Sequence, residues 1–112
     1  MSVTPKKLVT PAQLTNAAAI YYTVPANTKT RITKLTFTNN DASAHTVTVY
    51  LVPSAGTAGV TNILTKAAPI AAGAVYEAFE AEGHVITAGD TLQALADAGA
   101  FVTVQCSGIE VV

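Results

Sequence analysis

A chain of 112 residues, half of them hydrophobic, with 12% charged residues, a formal charge of −1 and one cysteine, has room for one domain and not for two. At this length roughly 65% of the unfolded surface is buried on folding, so a single core holds without metal or disulfide staples. Cys106 has no partner in the chain and lies in the apolar run 101–106, where a buried, inert thiol is expected; a disulfide-stapled secreted scaffold is excluded.

The charged fraction is about half of the usual roughly 25%. Thr, Ser, Asn and Ala must therefore cover a surface that neither repels its copies nor steers a ligand, as expected of a protein that touches neighbours. Nucleic acid is not expected as a partner. Lys6 and Lys7 form one pair, and Lys29, Arg31 and Lys34 share a strand without an aromatic stacking platform. Leu8-Val9 is broken at once by Thr10-Pro11, so no secretory apolar segment follows the Lys pair. Pro69, Gly73 and Glu77 interrupt the most apolar region well short of the roughly 20 residues of a membrane helix. The expectation is a soluble protein, made inside the cell, with no membrane partner.

Residues 1–16, with Pro5 and Pro11, show neither helical nor strand periodicity beyond Leu8-Val9-Thr10 and read as an extended arm. Such an arm is either pinned to its own sheet edge or offered to a neighbour. Residues 17–112 read as the folded domain. A strand over 17–24 carries Tyr21, Tyr22 and Val24 and ends at the turn Pro25-Ala26-Asn27. In the strand 28–39, Ile32 is out of phase with Leu35 and Phe37, which calls for a bulge near Thr33-Lys34 or a strand buried in part on both faces. Asn39 to Ser43 is turn chemistry. In 46–52, Val47, Val49 and Leu51 alternate with Thr46, Thr48 and Tyr50, so that 28–39 and 46–52 are expected to form a hairpin.

Pro53 and the small residues 54–59 make a loop, and a strand over 61–68 is expected to end at Pro69. A strand over 75–79 follows, with a helix through 67–78 as the alternative that Pro69 and Gly73 disfavour. The acidic turn 80–83 precedes a short strand at 84–86. Strands over 91–96 and 100–106 are next, and a bulge at Ser107-Gly108 is expected to reset the phase for Ile109 and Val111. Turn signals every 8 to 12 residues or so, with no secure helix, indicate an all-β fold: an antiparallel β-sandwich, jelly-roll or immunoglobulin-like, with an extended N-terminal arm.

Neither His45 nor His84 has a second ligand at i+2 or i+4, so both read as surface histidines and no metal is expected. Glu77, Glu80, Glu82 and His84 are the one local cluster of ligand types, read as a solvated acidic loop. No nucleophile elbow of the G-x-S-x-G kind occurs. The run Ala55-Gly56-Thr57-Ala58-Gly59 lacks the Gly-Lys-Thr of a phosphate loop, and Asp90 reads as a turn former. No catalytic residue and no cofactor is expected. Tyr21, Tyr22, Tyr50 and Tyr76 are either cross-strand packing partners or the lining of a sugar-binding face.

The string YTVPANTKTRITKLTFTN (22–39), with VTVYLVPS (47–54), ITAGDTLQA (86–94) and VTVQCSGIEV (102–111), resembles small β-sandwich structural proteins of tailed bacteriophages. The resemblance spans about four-fifths of the chain. It implies a virion component assembled in the bacterial host cytoplasm: a non-enzymatic decoration or cement protein on the capsid surface, bound at joints between capsomers. Its partners would be the major capsid protein and further copies of itself, as dimers or trimers. By the same analogy Lys6, Lys7, Leu8 and Val9 of the arm lie against the shell or a neighbouring subunit, and Tyr50 on the Thr-rich outer face is a further interface candidate. The alternative is a tail- or fibre-associated module that binds a host glycan or another tail protein. A cellular adhesion or carbohydrate-binding domain is third and an enzyme last.

Overall fold

A computed structural model describes residues 2–112, in which nine strands and no helix occur: β1 (Val3–Gln13), β2 (Ala19–Thr23), β3 (Lys29–Asn39), β4 (His45–Val52), β5 (Ile63–Ile70), β6 (Val75–Glu77), β7 (Val85–Thr87), β8 (Thr91–Ala96) and β9 (Val102–Val111). They form two antiparallel sheets. One runs β1-β9-β3, with β6 and β7 pairing successive parts of β3 as a single strand interrupted by a loop; the other runs β2-β8-β4-β5. The chain changes sheet at nearly every connection and stays in one sheet between β4 and β5. The resulting pairs, β1 with β9, β2 with β8, β3 with β6 and β7, and β4 with β5, are the double Greek-key winding of a jelly roll. Strand order thus selects the jelly roll over the immunoglobulin-like sandwich.

Alternation places one face of each strand in a shared core. Ile32, Leu35 and Phe37 of β3 and Val102 and Val104 of β9 meet Val47 and Val49 of β4 and Leu92 of β8, all fully or almost fully buried. The expected hairpin of 28–39 with 46–52 does not form, because β3 and β4 lie in different sheets. Turn residues dictate that the chain reverses, not whether the next strand pairs with the last or crosses to the facing layer. Here Asn39 decides the crossing. Its buried amide Nδ2 faces the carbonyls of Ser43, Ile70 and Ala71 at 2.9, 3.1 and 3.3 Å, and its Oδ1 accepts the Asp41 amide at 2.9 Å. The end of β3 is thereby fastened to the end of β5 in the opposite sheet.

The expected bulge at Thr33-Lys34 is present: Ile32 pairs with Gly108 and Lys34 with Ser107, leaving Thr33 as the extra residue. The same step of β9 is bulged on its other side, where Lys7 pairs with Ser107 and Val9 with Cys106, leaving Leu8 extra. The disturbance expected at Ser107-Gly108 therefore lies in the neighbours. β9 itself keeps its alternation, with Val102, Val104, Cys106 and Gly108 all inward. Gly108 makes this possible. A Cβ there would stand 2.4 Å from the Arg31 carbonyl oxygen and 2.6 Å from Leu8 Cδ1, so the absence of a side chain is what seats Leu8.

Residues 3–13 are extended, and they are pinned to their own sheet edge as β1, in register with β9 from Val3 opposite Val111 to Gln13 opposite Thr103. Leu8 and Val9, expected to dock on a neighbour, are 8% and 3% exposed and belong to this chain's core. β5 continues through Pro69, where the sequence suggested a stop, because an edge strand tolerates a missing donor. All four edges are blunted: prolines and two bulges in β1, five residues and a bulge in β2, Pro69 and bulges in β5, and the interruption between β6 and β7. Strand addition by another copy is disfavoured at each of them.

The Gly108 contact is testable. Gly108→Ala is expected to destabilise the protein by about 1–3 kcal/mol in urea unfolding, as overpacking does. Adding Leu8→Ala should recover little, since the Arg31 carbonyl stays in place; a Gly108→Ala variant as stable as the parent would refute the contact.

Candidate contact surfaces

The polar side chains inside the sandwich act as clasps between its sheets. At one end the Tyr22 hydroxyl donates to Glu110 Oε2 at 2.6 Å and lies 2.8 Å from Thr30 Oγ1, while Lys6 Nζ stands 3.3 Å from the same carboxylate. Burial, and then the bond to Glu110, push the Tyr22 phenol up to about 12. Lys6, expected at an interface, is therefore a partner of Glu110.

At the opposite end is His45, expected on the surface and found buried. Its Nε2 lies 2.7 Å from Asp41 Oδ2, its Nδ1 lies 2.8 Å from Asp97 Oδ1, and its ring stacks on Phe101 with centroids 4.9 Å apart. Ionised carboxylates only accept hydrogen bonds, so a ring held by two of them is an imidazolium with both nitrogens donating. The bonds to Asp41 and then Asp97 hold the His45 pKa above its ordinary value, against the effect of burial. Asp41 is lowered by His45 and by the Ala42 amide. For Asp97 burial opposes ionisation, but His45 and the Thr46 amide outweigh it and the net direction is down. Asp41 is four residues before His45 and visible in the sequence; Asp97, in the turn before β9, is not, because only the fold brings it close.

The remaining candidate chemistry is dispersed. Among the described residues no group of three or more His, Cys, Asp or Glu side chains converges as metal ligands. Glu80 accepts from Thr65 and Tyr76, Glu77 pairs with Lys34 at 3.7 Å, Glu82 reaches the Leu35 amide at 3.4 Å, and His84 is exposed. Cys106 is buried, and burial, then Glu82 nearby, push its thiol up to about 12, far from a reactive thiolate. Asp90 is the expected turn former, accepting from the Thr87 and Ser54 amides at 2.9 and 3.0 Å. The tyrosines form no common outer face: Tyr76 stacks inside on Phe37, Tyr22 is buried in its clasp, Tyr21 packs against the core, and Tyr50 faces outward.

What the fold offers a partner is two outer sheet faces of different character. On the β1-β9-β3-β7 sheet two rows cross the strands, Pro5-Ile109-Arg31-Val85 and Val3-Val111-Lys29-Thr87, with Lys7 and Lys34 beyond them. On the other sheet the row Ile20-Gln93-Tyr50-Ile63 borders a cavity of about 430 Å³ lined by Thr48, Tyr50, Val60, Ile63 and Leu95, with Lys66 its one charged residue. Lys7 and Tyr50, both interface candidates from sequence, thus lie on opposite faces of the sandwich.

No protein-family model matches the sequence, and no curated protein does. Two solved structures share the fold. One is a chain of the Bacillus endospore appendages, a family of disulfide-linked pili, with a TM-score of 0.59 at 15% identity over 97% of this chain and 87% of that one. The other is a chain in the structure of infectious bursal disease virus, Gx strain, with a TM-score of 0.51 at 16% identity over 97% of this chain and 31% of that one. The likeness is one of β-sandwich architecture. The single cysteine here is buried.

The His45 clamp predicts a pH dependence. Its raised pKa contributes stability that is complete below about pH 6.5 and is lost as pH rises through the folded value. The lowered Asp41 and Asp97 contribute above about pH 4 and lose it as pH falls through their folded values. Melting temperature is therefore expected to be highest between these limits and to decline on the alkaline side, and His45→Gln is expected to be less stable and to lose that decline. An unchanged alkaline limb in the variant would rule the clamp out as its source.

Proposed function

We propose that this chain is a non-enzymatic structural subunit of a tailed-phage virion, which decorates the capsid and stabilises it by binding at joints between capsomers. One observation carries the reading: the polar groups that catalysis would need are bound to one another inside the fold, while apolar side chains are exposed on outer sheet faces. Val3, Ile20, Val75 and Val85 are each more than half exposed. Such faces fit contact with a larger body. Blunted edges keep the subunit from polymerising through its strands, so it adds to an assembly by its faces. The low charge and the motif resemblance support the same reading, as does the occurrence of the fold in chains from a pilus and a virus.

The partners are the major capsid protein and a few copies of the chain itself. Each contact need bury only modest area, because repetition over many equivalent joints supplies the avidity. A tail- or fibre-associated module is the second reading, and the cavity beside Tyr50 favours it, since a concave, mostly apolar patch with the Thr48 and Tyr50 hydroxyls and Lys66 suits a small ligand. Cryo-electron microscopy of the source virion tests both. Density for this jelly roll is expected on the head surface at capsomer joints; density confined to the tail would overturn the first reading in favour of the second.

A further inference from the structure

We infer that the outer face of the β1-β9-β3-β7 sheet is the docking face and that its partner is an acidic protein surface with an apolar centre. The inference rests on the structural role proposed above and names the face and the chemistry that serve it. The chain carries six lysines and arginines, and four of them, Lys7, Lys29, Arg31 and Lys34, have outward register on this one sheet. Glu77, opposite Thr36, is the carboxylate in register with them, and it pairs with Lys34. Glu82 hangs at the β6–β7 edge beside it. Among the described residues, Lys7, Lys29 and Arg31 have no carboxylate within 4 Å. A chain that is slightly acidic overall is thus distinctly cationic on one face, and the segregation calls for a partner of opposite sign.

The spacing of apolar residues selects the kind of partner. Ile109 lies between Pro5 and Arg31 in one row, and Val111 lies between Val3 and Lys29 in the next. The result is an apolar strip over β1 and β9 flanked by the cations of β3, with Val85 beyond Arg31, so apolar and charged groups alternate across the face and a partner must match both. Phosphate backbones would leave that strip facing charge, and no aromatic side chain stands in these rows to stack a base. Membrane insertion needs apolar groups that project roughly 5–10 Å into the headgroup layer, whereas Val, Ile and Pro on a strand face do not project. A protein surface with a few apolar residues ringed by Asp and Glu satisfies both components.

The test is surface binding of the full chain to immobilised poly-glutamate, to a random-sequence DNA duplex and to phosphatidylglycerol vesicles, at low and high salt. Wild type is expected to bind poly-glutamate at low salt and to be released at high salt, where charges are screened. The doubly substituted K29E/R31E chain should bind at least tenfold more weakly, and K29Q/R31Q should fall between. No binding by wild type, equal binding by the charge-reversed chain, or tighter binding to DNA or vesicles would each overturn the inference. Matching thermal unfolding of the variants shows that the fold is kept. The virion image is independent of this result: absence of the chain from the head removes the proposed location without touching the face, and loss of poly-glutamate binding removes the face without touching the location.

Discussion

The fit of Leu8 over Gly108 is the contact on which the rest of the sandwich depends. β9 is an inner strand of its sheet, with β1 on one side and β3 on the other, and both neighbours carry one extra residue at the same step of β9. A bulge bends and twists the strand that carries it, so bulges on both flanks coil the sheet at that level and let its two ends close over the facing sheet. A side chain at position 108 would meet a backbone carbonyl as well as Leu8. The backbone cannot yield as a rotamer does, so the constraint is steric and local. Its consequence is global: with Leu8 and Val9 inside, the N-terminal strand completes the core and is not free to be lent to a neighbour.

The same economy of polar groups explains why the protein reads as a scaffold. Tyr22, Thr30, Lys6 and Glu110 close one end of the sandwich, while Asn39 and the clamped His45 close the other. A buried polar group without a partner costs about 1–3 kcal/mol, and among the described residues no buried side-chain nitrogen or oxygen lacks one. Tyr22 and Glu110 face each other across the two sheets, and His45 is held between Asp41 and Asp97 at the other end. The outer faces then differ by what the strands place on them, cations and aliphatic rows on one sheet, Tyr50, Leu95 and Ile63 on the other. The two faces are therefore not equivalent.

Much of this was legible in the chain. The phase break between Ile32 and Leu35 pointed to a bulge near Thr33-Lys34, because the two-residue period of a strand puts the two on opposite faces unless a residue is added or both faces are buried. Alternation in 46–52 gave β4, and the turn chemistry around Asp90 was read correctly. Pairing was not legible. Asn39 to Ser43 has the composition of a hairpin turn, and nothing local says that its carbonyl partners lie 31 and 32 residues away. The residues alone left the arm either pinned to its own sheet edge or offered to a neighbour, because Pro5 and Pro11 mask its strand character and the glycine that seats Leu8 is a hundred residues distant. His45 passed for a surface histidine since one of its two carboxylates arrives only with the turn after β8. Long-range closeness, not residue type, is what the sequence withholds.

The most direct measurement of the central claim is native-state amide hydrogen exchange across β1 over a range of protein concentrations. If Leu8 and Val9 are core residues of their own chain, the β1 amides that pair with β9 should exchange slowly, close to those of β9 itself and independently of concentration. Rapid exchange throughout residues 3–13 in dilute protein, with protection appearing only as concentration rises, would mean that the strand is donated between copies and would contradict the account.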